Sequence, residues 1–247
     1  MTESIWNGFR RIDFTFEGRE AILVFPDENN AKNRWMLKTE YFNAFPDLEI
    51  ELLKSGYHLA YVENINRWGL REDLEAKKRF CDYLIKTYGL AVKCVPVGMS
   101  GGGLFAIKFA GSYPEYVSVL YLDAPVVNIL SLLGMGTPNK NQSIEEEEIC
   151  EALSISRSEL IAYRDHPLDY LPSLVKNKIP ACLVYGNCDD VVFCHENARL
   201  IIDAYKNTDI PFMTFEKDGY NHHPHALEGL SDAQCEKLIE FIVNNDK

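Results

Sequence analysis

The chain has 247 residues, is 47% hydrophobic, and sets 37 acidic against 25 basic residues for a formal charge of −12. That length and apolar content suit one globular domain with a sizeable core, and the negative balance argues against a nucleic-acid or anionic-membrane partner. Met1-Thr2-Glu3-Ser4 leads into charged residues without the apolar stretch of a secretory signal, and seven cysteines, an odd number without zinc-like spacing, fit reduced thiols in a cytoplasmic protein.

Residues 11–16 and 20–25 read as consecutive strands joined at Gly18, a hairpin. A helix follows around 40–54, then a strand at 57–62, a helix at 72–88 and a strand at 92–97. Gly98-Met99-Ser100-Gly101-Gly102 comes next and opens a helical segment at Gly103. Residues 117–122 are a strand; the apolar stretch 117–136 is interrupted by Asp123, Pro125 and Asn128, which suits a buried strand and loop better than a membrane helix. Strands at 179–185 and 212–216 precede helices around 195–206 and 225–244. This alternation implies a mostly parallel sheet with helices on both faces. Between 125 and 178 the alternation breaks, and the inserted stretch reads as a small cap at the carboxyl ends of the strands. The glutamates at 145–148 within it read as a solvated helix face.

The segment around Ser100 has the G-x-S-x-G pattern of a nucleophile elbow, a turn so tight that only small residues fit beside an outward-pointing serine. Such a serine needs a base and a carboxylate to orient it. Both types follow later strands: Gly186-Asn187-Cys188-Asp189-Asp190-Val191-Val192 after one, and Lys217-Asp218-Gly219-Tyr220-Asn221-His222-His223-Pro224-His225 after the other. In these three segments the chain resembles the α/β-hydrolase superfamily of serine hydrolases, and its wider pattern resembles an esterase-like branch related to the prolyl-oligopeptidase clan.

The resemblance covers residue 11 to the end. It implies a single α/β-hydrolase domain over residues 1–247 with a cap at approximately 125–178, Ser100 as nucleophile, His222 as base and Asp189 as acid. Asp123 after the preceding strand is an alternative acid, and His223 an alternative base. Two oxyanion-hole N–H groups are expected, one from Gly101 and one from the loop after strand 21–25. Pro26 has no N–H there, which leaves Asp27 or Glu28.

The implied reaction is cleavage of a small-molecule ester through an acyl-enzyme, without cofactor or metal. Trp35, Tyr41, Phe42, Trp68 and Tyr220 are candidates for an aromatic wall, which points to an acylated carbohydrate or another small, moderately polar ester. Two other classes compete. Gly98, Gly101, Gly102 and Gly103 with Asp123 partly imitate a dinucleotide site, and a hydrolase fold without catalysis can serve as a binding module. A metal held by His222, His223 and His225 is disfavoured because two histidines flanking Pro224 lack regular spacing.

Overall fold

The computed structural model describes residues 1–138 and 142–247, the side chains of 142–145 excepted. In chain order its strands are β1 (Thr2–Trp6), β2 (Phe9–Phe16), β3 (Arg19–Val24), β4 (Trp35–Lys38), β5 (His58–Val62), β6 (Val95–Met99), β7 (Leu120–Asp123), β8 (Ala181–Gly186) and β9 (Phe212–Lys217). The helices are α1 (Asp47–Lys54), α2 (Arg71–Tyr88), α3 (Gly101–Ser112), α4 (Ile129–Leu132), α5 (Gln142–Leu153), α6 (Arg157–Ala162), α7 (Leu171–Lys176), α8 (Ala198–Tyr205) and α9 (Asp232–Asn245).

One sheet runs β1-β2-β3-β5-β4-β6-β7-β8-β9. Its first three strands form an antiparallel meander joined at Asn7-Gly8 and Glu17-Gly18. All four turn residues have positive φ, the backbone that two-residue hairpins require. β3 also pairs antiparallel with β5, and every pairing beyond that is parallel. The inner parallel strands β4, β6, β7 and β8 are buried on both faces, as a sheet covered by helices must be, whereas the edge strand β9 leaves Thr214 and Glu216 exposed. Leu37, Leu120 and Leu122 join the apolar cluster under α2, α3 and α8, whereas Met36, Val97 and Tyr121 join the one under α1 and α9.

Three differences from the sequence reading bear on the site. β1 and β4 are additional strands, and β4 is only Trp-Met-Leu-Lys, too short to register as an apolar run. Its Lys38 is fully buried against Glu49 of α1, an ion pair that lets a charged residue end a core strand. The helix expected from residue 40 starts at Asp47, after a loop in which Tyr41 and Phe45 take positive φ. The last helix starts at Asp232 behind a Ser231–Gln234 capping box, so residues 225–231 form a loop.

The stretch 125–178 divides into two parts. Its later part belongs to the helical layer: α7 and the 3₁₀ turn Pro167–Tyr170 pack on α3, the buried Lys108 of α3 reaches Asp165 at 2.7 Å, and Ser173 donates to the Gly111 carbonyl at 2.7 Å. In the earlier part, Leu132 of α4 lines one cavity together with Arg67, and Glu148 of α5 pairs with that Arg67 at 2.6 Å. Of the acidic run, Glu146 and Glu148 form ion pairs with Arg157 and Arg67, and the Glu145 side chain lies outside the described residues. Among the described residues no helix is long and apolar enough to cross a membrane.

Candidate active site

Ser100 joins β6 to α3 with φ 51° and ψ −122°, a strained conformation for a residue with a side chain. Its surroundings impose that strain. The Ser100 N–H donates to the Asp123 carbonyl at 2.9 Å, while the Ser100 carbonyl accepts from Gly103 at 2.9 Å and Val126 at 3.0 Å. The flanking glycines are obligatory for space. A Cβ on Gly98 would lie 2.5 Å from the Ala106 Cβ, and one on Gly103 would lie 2.3 Å from the Pro125 Cβ.

Ser100 Oγ lies 2.9 Å from His222 Nε2, and His222 Nδ1 lies 2.7 Å from Asp189 Oδ2. The other carboxylate oxygen, Oδ1, accepts the backbone N–H groups of Val191 at 2.9 Å and Val192 at 2.7 Å, while both valines line the cavity over Ser100. The two loops are tied to each other as well. The Cys188 N–H donates to the Tyr220 carbonyl at 2.9 Å, and Asp190 N–H to Asn221 Oδ1 at 2.9 Å. Gly186 admits this approach, since a Cβ there would lie 2.4 Å from the Tyr220 and Asn221 carbonyl oxygens.

The two alternatives weighed from sequence find other partners. Asp123, 2% exposed, binds the ring of His225, 1% exposed, with Oδ1 to Nδ1 at 3.0 Å. Its Oδ2 accepts from the Ala226 N–H and from the Tyr121 hydroxyl at 3.2 Å. His223 stacks on Phe45 with ring centroids 5.5 Å apart, and burial together with the neighbouring His225 and His222 pushes its pKa down. The loop carrying all three histidines is anchored from below. Lys217 Nζ donates to the carbonyls of Pro224 at 3.1 Å and Ala226 at 3.0 Å, and Asp47 accepts the Leu227 N–H at 3.0 Å. Burial lowers the Lys217 pKa and raises that of Asp47, so both anchors give up hydration to hold the loop.

Asp27 is not at this site. Because β3 runs antiparallel to β5, its carboxyl end lies beside Leu59, at the amino ends of the parallel strands. Asp27 therefore lines a surface hollow with Ile5, Gly8 and His58 at the opposite edge of the sheet. The loop that does reach Gly101 follows β4, and its Tyr41 hydroxyl lies 2.9 Å from the position a Gly101 Cβ would take. Sequence reasoning missed this because β4 was missed.

A cavity of about 350 Å³ opens over Ser100. Its lining includes the apolar Trp68, Leu104, Val126, Leu132, Val191 and Val192, together with Phe45, His223 and His225. Of the proposed aromatic wall, Tyr41 and Trp68 line the cavity. Trp35 is fully buried with its indole N–H on the Ala91 carbonyl, Phe42 packs between Trp6 and Tyr61, and Tyr220 covers Gly229 outside the cavity. The glycines do not form a phosphate cradle, since Gly103 faces Pro125, Gly102 faces Thr39 and Glu40, and Asp123 is taken by His225. Among the described residues no group of three histidine, cysteine or acidic side chains is arranged to hold a metal ion.

No protein-family model and no curated protein sequence matches the chain. Solved structures do. An esterase of Pyrococcus furiosus superposes with a TM-score of 0.68 at 16% identity, covering 97% of this chain and 93% of its own. An S-formylglutathione hydrolase of Staphylococcus aureus gives 0.67 at 15% identity, covering 96% and 98%. The chain carries the α/β-hydrolase fold. A puromycin-hydrolyzing peptidase of Mycobacterium tuberculosis reaches 0.75 at 14% identity over 96% of this chain, but this chain spans only 39% of that protein. Within the α/β-hydrolase fold seen here, Ser100, Asp189 and His222 follow parallel strands β6, β8 and β9, so their loops emerge at one edge of the sheet.

Proposed function

We propose that this protein is a serine hydrolase that cleaves a small carboxylic ester through an acyl-enzyme. The observation that carries this reading is the unbroken chain from Ser100 Oγ through His222 to Asp189, at 2.9 and 2.7 Å, open to a cavity. Ser100 attacks the ester carbonyl while His222 Nε2 takes its proton; Asp189 holds the ring with Nδ1 as donor and stabilises the imidazolium that forms. His222 then returns the proton to the leaving alcohol, and water releases the acid. Gly101 N–H, first in the helix after the nucleophile, supplies one oxyanion contact. Tyr41, whose hydroxyl lies beside Gly101, supplies the second in place of Asp27. The small cavity and its apolar lining favour a short acyl chain, and Val126, with Leu132 of α4, contributes the cap side.

Labelling with a fluorophosphonate, alongside turnover of short nitrophenyl esters, tests this. Wild type takes the label on Ser100 and hydrolyses the ester, and Ser100→Ala does neither while unfolding at the same temperature. A folded wild-type protein that neither labels nor turns over is a binding module, and the proposal falls.

A further inference from the structure

The triad leaves a second buried aspartate–histidine pair unused. Burying two ionisable side chains is costly unless each is fully satisfied, and Asp123 is: His225, Ala226 and Tyr121 take both its oxygens. His225 is satisfied on one side only. Its Nδ1 faces Asp123, the ring lines the cavity over Ser100, and among the described residues no hydrogen bond engages its Nε2. The ring stands edge-on to His222 with centroids 4.8 Å apart, and Phe45 supports it from another side at 5.2 Å.

Resting on the serine-hydrolase reading, we propose that His225 forms a subsite for the alcohol half of the substrate, its Nε2 accepting a hydrogen bond from a hydroxyl that this alcohol carries near the ester oxygen. His222 must hand its proton to the leaving oxygen, so the alcohol lies on the His222 side of Ser100, where His225 and His223 also lie. The direction of the bond follows from the partner of Nδ1: with Nδ1–H directed to the Asp123 carboxylate, the lone pair of the ring lies at Nε2. The stacked His223 and Phe45 rings, inclined by only 15°, add a flat face for the carbon skeleton of such an alcohol. The substrate class is therefore an ester of a polyol or sugar rather than of a simple alkanol.

The test compares glyceryl monobutyrate with propyl butyrate, which share the acyl group and the three-carbon alcohol and differ in two hydroxyls. Wild type prefers the glyceryl ester by about 10-fold in kcat/KM, the worth of one well-placed hydrogen bond. In His225→Asn, which keeps a donor for Asp123 but has nothing at Nε2, the ratio falls towards one. His225→Phe, which keeps ring volume, loses the preference too, and His225→Gln recovers part of it. Damage to the fold lowers both esters together and leaves the ratio intact. A wild-type ratio near one, or a ratio kept by the Asn and Phe variants, overturns the subsite. If Ser100 takes no fluorophosphonate and neither ester is cleaved, the hydrolase reading itself has failed; a labelled Ser100 without the preference sinks the subsite alone.

Discussion

Asp189–His222 and Asp123–His225 are built almost alike. In each pair a buried carboxylate holds Nδ1 of a buried imidazole, at 2.7 and 3.0 Å, and uses its second oxygen to accept backbone N–H groups. The rings stand 4.8 Å apart on one loop. What separates them is what the far nitrogen meets: Nε2 of His222 reaches the Ser100 hydroxyl, whereas among the described residues no hydrogen bond engages Nε2 of His225, a residue that lines the cavity. An aspartate–histidine pair is thus a device for fixing a tautomer, and its chemistry is set by the atom placed at the other end.

The comparison breaks most visibly under one substitution applied to both pairs. Asp189→Asn preserves shape but lets the amide donate to His222 Nδ1, which puts the proton on Nε2 and removes the base. The expected fall in kcat is about 10⁴-fold, with unchanged melting. Steady-state kinetics on a short ester checks it. A loss under about 10-fold would mean that Asp189 does not set the tautomer of His222.

The parts of the site that were legible in the sequence are those where close packing restricts the residue type. Gly98 and Gly186 cannot carry a Cβ, and each opens one of the recognised patterns, G-x-S-x-G and G-x-x-D. β4 left none. Four residues ending in a lysine show no periodicity, and only the buried Glu49 partner makes Lys38 acceptable there. Without β4, the loop expected beside Gly101 is assigned to β3, which leads to Asp27 at the other end of the sheet. The pairing itself was hidden, since its members are 102 residues apart: in the sequence Asp123 reads as an alternative acid and His225 as part of a histidine cluster, with nothing linking them. Helix ends at Asp47 and Asp232 were misjudged because the preceding loops are held by tertiary contacts, through Asp47 and Lys217, which local propensity does not record.

Lys77 sharpens the comparison by showing a buried charge without such a close carboxylate. It is fully buried, donates to the Val62 carbonyl at 3.1 Å, and has the Phe105 ring 5.4 Å away. Burial lowers its pKa from 10.5 to about 8, with Glu40 and Asp73 only partly opposing the shift. Between those values the unfolded chain holds the proton and the native protein does not, so stability from this group rises with pH from about 8 to about 10.5. At about 1.4 kcal/mol per pH unit the climb is about 3 kcal/mol, or about 300-fold in the folding equilibrium. Lys77→Met should abolish it. Urea unfolding of wild type and variant at about pH 8 and about pH 10 measures the difference, and parallel pH dependences would show that Lys77 does not titrate with folding.

The smallest effect discriminates best between the two pairs. Asp123→Asn is the same chemical change as Asp189→Asn: the amide oxygen keeps the Ala226 N–H, while the NH₂ turns to His225 Nδ1 and moves the ring proton to Nε2. At His222 that shift removes a base. At His225 it exchanges the acceptor at Nε2 for a donor, to which a substrate hydroxyl can still bond as acceptor, so the glyceryl-over-propyl ratio should fall by only about 2- to 3-fold, less than in His225→Phe. Fluorophosphonate labelling of Ser100 should persist, because the His222 tautomer depends on Asp189 alone. If Asp123→Asn instead costs as much kcat on both esters as Asp189→Asn does, the two pairs act as one proton-handling unit, and the division of labour between them is wrong.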